Sequence, residues 1–298
     1  MNLNWMKLRP LYLLISGVAL SLSFYSIFVW GFRYSIDFTG GVTVDYRFPS
    51  QQSTEAIKTA LGINMEEAPK SITQSAERTI QLKYGPEFNQ EKAGKLGASL
   101  SQALGENPEI VRFESVGPAL SQEILRKTYV AVAIASLGIL LWVTYQFKSL
   151  KFGVSAILAM IHDSVVLLGT FAALGHYMGV EVDILFVTAM LTILSFSVHD
   201  TIVVYDRVRE SMRKHPGVPL YDLANKAVSE TLVRSVNNSL TIIFMLFALF
   251  IMGGTTIKWF VAALLIGTIS GTYSSPFVAV PLLVTWEELE KWWRGKKR

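Results

Sequence analysis

Apolar residues gather in six long runs, and one extended polar stretch separates the first run from the other five. The runs cover residues 11–30, 129–147, 152–174, 182–205, 231–252 and 259–284. Each is close to the roughly 20 residues an α-helix needs to cross a bilayer. The pattern predicts an α-helical integral membrane protein with six transmembrane helices. The first run is too long for a signal-peptide core and lacks a small-residue cleavage site, so it is expected to stay as a span. Pro276 and Pro281 interrupt the sixth.

The polar insert, residues 33–126, reads as a small α+β domain outside the membrane. Val42, Val44, Tyr46 and Phe48 alternate as a half-buried strand does. Ser53 is placed to cap a helix ending at Gly62, and a second helix is predicted from Asn89 to Leu104, stopped by Gly105. Further strands are expected around Ile72, over 79–84 and over 110–115. The order β-α-β-β-α-β suits a ferredoxin-like split βαβ unit. The chain thus divides into 1–32 (cytoplasmic N-terminus and first helix), 33–126 (the insert), 127–286 (a five-helix bundle) and 287–298 (a basic tail).

Charge fixes an expected orientation. With the N-terminus inside, the internal segments hold 15 of the 27 Lys and Arg, and the two short external loops hold only Lys258. The other 11 lie between the first and second runs, ten in the insert and Lys127 just after it, a stretch too long for the positive-inside rule to apply. Both termini are therefore expected in the cytoplasm and the insert outside. The net charge of +4 gives no reason to expect a nucleic-acid partner. With no cysteine, disulfides and thiolate metal sites are excluded. Mean hydropathy of +0.38 agrees with a membrane protein.

The fourth run carries the chemistry. Thr188, Thr192, Ser195 and His199 recur at helical spacing, and Asp200 borders the polar face they make. Small hydroxyl residues also serve helix packing in membranes. An acid held in hydrocarbon costs several kcal/mol and marks a functional site by default. His162-Asp163 in the third run repeats the His199-Asp200 pair, and both pairs sit on consecutive, oppositely directed helices. Arg234 and Asn238 share a face near the inner leaflet, with Asn237 beside them, and Arg234 is the natural counter-charge to Asp200. The competing role for Arg234 is a static pair or a side chain snorkelling to the headgroups; for His162 and His199 it is to orient a neighbour. A metal is not expected, since its ligands would have to come from two separated helices. No nucleophile elbow or phosphate loop is present, so no enzyme is expected, and energy must come from ion flow or a partner. Gly267 and Gly271 form a close-packing motif. Gly40-Gly41 suits positive φ at a tight joint after a strand-like 36–38, with Asp37 bonding backbone amides there.

Several segments together carry a resemblance. Tyr34-Ser35-Ile36-Asp37-Phe38-Thr39-Gly40-Gly41 and the run Asp200-Thr201 through Asp206-Arg207-Val208-Arg209-Glu210 resemble signatures of the SecD/SecF family of bacterial protein-export membrane proteins. Val116-Gly117-Pro118, Gly253-Gly254 and the segment from Gly271 to Pro276 fit it as well. The resemblance implies a subunit similar to half of a resistance-nodulation-division transporter, in the bacterial cytoplasmic membrane. Its implied partners are a SecD-like subunit, the SecYEG channel and the unfolded secretory chain. It implies no cofactor beyond a coupling ion, H⁺ or Na⁺. Asp200 falls on the family's ion-coupling acid, Arg234 on its partner and Asp163 on a further acidic position. His162, His199, Thr201, Asn237 and Asn238 are expected as supporting polar groups. His199 stands where relatives often have Asn, which adds a titrating group or only shifts hydrogen bonding. The rival readings are half of a small-solute exporter and an assembly factor that uses no energy.

Overall fold

Among the described residues, six helices are long and apolar enough to cross a membrane. The computed structural model describes residues 4–64 and 68–296. A 3₁₀ turn (Trp5–Leu8) leads into α1 (Arg9–Tyr25), which ends in a π turn (Ser26–Trp30). Then follow α2 (Ile36–Thr39), β1 (Gly41–Arg47), α3 (Thr54–Asn64), β2 (Ser71–Ala76), β3 (Thr79–Tyr84), α4 (Gln90–Leu104) and β4 (Glu109–Val116). The remaining spans are α5 (Pro118–Phe147), α6 (Leu150–Met178), α7 (Ile184–Lys214), α8 (Leu220–Met252) and α9 (Thr255–Ser274). A π turn (Ser275–Ala279) joins α9 to α10 (Val280–Lys296). Two units emerge: Arg33–Tyr129 with Glu181–Ile184, and the helices that make up the rest.

In the first unit the sheet order is β2-β3-β1-β4, every pair antiparallel, as in a split βαβ fold. Val42, Val44, Tyr46, Ile80, Leu82 and Tyr84 enter a core closed by Ile57, Leu61, Leu96 and Leu100 from α3 and α4. Tyr46 Oη donates to the Ala93 carbonyl at 2.6 Å, so the buried phenol is satisfied. Ser53 Oγ accepts from the Ala56 N–H at 3.1 Å and starts α3, which runs past Gly62 to Asn64. Asn89 caps α4, and Gly105 ends it at φ +69°.

The segment 36–38 is a helical turn rather than strand-like. Ser35 Oγ accepts from the Asp37 N–H and caps that turn. Gly40 and Gly41 then take φ +69° and +132°, and a Cβ on Gly41 would lie 2.6 Å from the Tyr84 carbonyl oxygen. No side chain fits there.

Within the helical unit, glycines set the close approaches. A Cβ on Gly169 of α6 would lie 2.3 Å from Ser23 of α1, and one on Gly267 of α9 would lie 2.1 Å from Ile193 of α7. Several helices outrun their apolar stretches. The C-terminal end of α7 continues to Lys214, where Lys214 pairs with Glu210 at 2.6 Å, and α8 starts at Leu220 with Leu223, Ala224, Ala227 and Val228 buried. Pro276 lacks an N–H, and the chain absorbs the missing helical bond as a π turn rather than a break.

Candidate functional site

Among the described residues, two acids lie buried inside the bundle, and their surroundings differ. Asp163 of α6 is 1% exposed. Its Oδ2 accepts from Ser197 Oγ of α7 and Ser274 Oγ of α9, both at 2.6 Å. Its Oδ1 accepts from Ser270 Oγ of α9 at 2.6 Å and faces His162 Nδ1 at 3.1 Å. Three serine hydroxyls from two helices thus converge on one side chain. Gly267 and Gly271 let α9 approach α7 closely enough for both helices to serve one carboxylate. His162 Nε2 is buried without a partner among the described residues.

Asp200 of α7 is 3% exposed and has a single side-chain partner among the described residues, Ser235 Oγ of α8 at 2.8 Å. The expected pairing with Arg234 is not formed: among the described residues no ion pair joins them, and Arg234 is exposed. One residue step turns a helix by about 100°, so Ser235 faces inward here and Arg234 does not. Asn237 and Asn238 are exposed with Arg234. Thr188, Thr192, Ser195 and His199 are likewise exposed along α7. The two His-Asp pairs are thus unlike. His162 and Asp163 are buried together, whereas His199 faces outward and Asp200 inward.

Thr201 extends the inner polar line. Its Oγ1 donates to the Ser197 carbonyl and lies 3.0 Å from Ser275 Oγ, in the π turn. Tyr205 follows, its hydroxyl 2.7 Å from Ser155 Oγ and 3.0 Å from the Ala279 carbonyl oxygen. Beyond it Asp206 is exposed. Arg207 bridges Glu210 and Glu230, tying α7 to α8. Arg209 donates to the Gln146 carbonyl at 2.6 Å and lies over the Phe147 ring, tying α7 to the end of α5. In the first unit, Asp37 Oδ2 accepts from the Ile184 N–H at 3.0 Å, while Phe38 packs against Tyr34 and Thr39 Oγ1 donates to the Ser35 carbonyl.

Four site residues escaped the sequence reading: Ser197, Ser235, Ser270 and Ser274. Ser270 and Ser274 are four apart, on the face that Gly267 and Gly271 bring close to α7. That spacing was the available signal.

This architecture defines a multi-pass helical membrane protein with a small α+β domain between its first two spans. Residues 97–289 match the family described as protein export membrane protein SecD/SecF, C-terminal, and residues 25–48 match the SecD/SecF GG motif. The protein translocase subunit SecF of Thermobaculum terrenum is 44% identical over 278 residues, 88% of this chain and 86% of that one. That of Synechocystis sp. is 34% identical over 296 residues, 96% of this chain and 91% of the relative. In three dimensions the crystal structure of SecDF from Thermus thermophilus, a translocon-associated membrane protein, superposes with a TM-score of 0.85 at 32% identity. The match covers 96% of this chain and 39% of that longer one. The chain belongs to the SecD/SecF family, among its SecF protein translocase subunits.

Proposed function

We propose that this chain pairs with a SecD-type subunit and uses an ion gradient, of H⁺ or Na⁺, to promote protein export through the SecYEG channel. Asp200 is the coupling acid, with Arg234 as its mobile counter-charge. Its inward carboxylate has one hydroxyl partner, and this observation carries the reading. Asp163, which accepts from three serines, pins α6, α7 and α9 together. Asp200 retains acceptor capacity, so it can take a proton or an alkali cation and give it up. An ion that binds two arrangements of α7 and α8 unequally shifts their balance, and that difference drives the motion.

The pairing has its own support. Ser195 and His199 face outward from a helix of membrane length, with Arg234, Asn237 and Asn238 outward on α8. Polar groups at that depth turn to a partner or to water. The longer SecDF chain holds a SecF-like part within one polypeptide, which fits a SecD-type half as that partner. Both termini are placed in the cytoplasm and the α+β domain outside, following the basic residues.

The test is ion entry into vesicles that contain the purified chain and its SecD-type partner. A pH gradient and a Na⁺ gradient are imposed separately. Entry of one ion that Asp200→Asn abolishes supports the reading and identifies the ion. Equal entry with wild type and variant for both ions overturns it.

A further inference from the structure

The segment between α6 and α7 folds as part of the α+β unit, since Glu181–Ile184 groups with Arg33–Tyr129. Val182 donates its N–H to the Arg33 carbonyl at 2.7 Å and accepts from the Ser35 N–H at 2.9 Å. This makes a parallel bridge beside Tyr34. Lys83, on β3, forms an ion pair with Glu181. Asp37 adds a carboxylate: its Oδ2 accepts the N–H of Ile184, the first residue of α7.

The first N–H groups of a helix have no partner inside it, and an acid at that end also complements the helix dipole. A residue of the segment before β1 therefore supplies a cap to a helix that starts 147 residues later. The position of Asp37 is itself constrained. Ser35 caps its turn, and Gly40 and Gly41 end it where a Cβ would meet Pro118 Cα at 3.3 Å and the Tyr84 carbonyl at 2.6 Å. The turn can sit there only because both residues lack a side chain.

We propose that Asp37 is a positioning residue for export. Together with the Lys83–Glu181 pair it holds the segment 181–184, which leads into the helix carrying Asp200, within the α+β unit. The transport consequence rests on the role proposed above for Asp200; the strap itself does not. The glycine-rich signature then serves the fourth span as much as the first.

The experiment uses the full chain with its SecD-type partner and two readouts. One is amide hydrogen exchange over residues 181–188, and the other is export with and without the membrane proton gradient. Asp37→Ala is expected to speed exchange by about tenfold, the size of a lost helix cap, and Lys83→Glu and Glu181→Lys, which break the ion pair, are each expected to speed it as well. They are also expected to remove most of the gradient-dependent export while sparing the remainder. Asp37→Asn keeps an acceptor and retains most of both properties. The double variant Lys83→Glu with Glu181→Lys restores both, and it decides the matter if Asp37→Ala does not accumulate.

Unchanged exchange in the single variants overturns the strap. Faster exchange with intact gradient-dependent export overturns the positioning role. If Asp200→Asn leaves gradient-dependent export intact, the reading of Asp200 fails, and exchange still decides the strap.

Discussion

Ser235 Oγ donates to Asp200 Oδ2 across 2.8 Å inside the bundle, while Arg234, one residue earlier, faces outward. The carboxylate and the cation proposed to pair with it therefore form no ion pair among the described residues. In this arrangement α7 and α8 are joined at Asp200 by a neutral donor.

Ser235→Ala leaves Asp200 without its donor. Hydrogen bonds to charged groups contribute about 1.5–3 kcal/mol, so the gradient-dependent part of export is expected to fall about tenfold or more. Ser235→Thr, which retains the hydroxyl, should stay near wild type. Equal export by the alanine and threonine variants would show that the bond has no part in coupling.

Asp163 answers to a different test. Its replacement by alanine orphans Ser197, Ser270 and Ser274, each donating to it at 2.6 Å. Unsatisfied buried groups cost about 1–3 kcal/mol each, though serines can turn back to carbonyls of their own helices. Thermal unfolding of the purified protein should drop by about 5 °C or more. Asp200→Asn, which spares its single hydrogen bond, should drop by less. The reverse order would contradict the division of roles between the two acids.

Gly41→Ala places a Cβ 2.6 Å from the Tyr84 carbonyl at a φ of +132°. Backbone strain of this kind costs about 1–3 kcal/mol, and the clash adds to it. Faster hydrogen exchange in β1 and β3 is expected, with exchange in α8 unchanged. Wild-type exchange in β1 would mean the turn relaxes freely.

Asp45, on β1, gives a pH signature outside the membrane. Burial raises its carboxyl above the ordinary 3.8, although Gln81 donates to it and Arg112 is near. The folded domain therefore holds that proton more tightly than the unfolded chain does. Asp45 takes stability away as pH rises from 3.8 through its raised value, and the loss is complete above it. Asp45→Asn should slow exchange of the β1 amides at neutral pH, after correction for intrinsic rates. The advantage should shrink toward acid, and an advantage that grew toward acid would refute the assignment.

The α+β domain was largely legible because its signals are local. Alternation over Val42 to Phe48, the Ser53 and Asn89 caps and the Gly105 stop each fix an element through a few neighbouring residues. The spans were legible in number but not in length. Hydropathy ends where Asp206 begins, yet α7 runs on to Lys214, with Arg207 and Lys214 in ion pairs along it. Residues 36–38 looked extended because Ile and Phe alternate around Asp; the Ser35 cap makes a helical turn instead. Asp200 and Asp163 stood out by their charge. Their serine partners did not, because a serine in a membrane helix reads equally well as packing until a third dimension places an acid opposite it. Arg234 drew attention as the available cation, but which of two adjacent residues faces inward depends on helix rotation.

The most direct measurement is secretion in cells carrying Asp200→Asn, scored with and without the membrane proton gradient at matched protein levels. The substitution keeps shape and hydrogen bonding and removes the ionisable group. Export at the level of a deletion, with its gradient-dependent part gone, is the predicted result. Export that keeps its full gradient dependence would contradict ion coupling at Asp200.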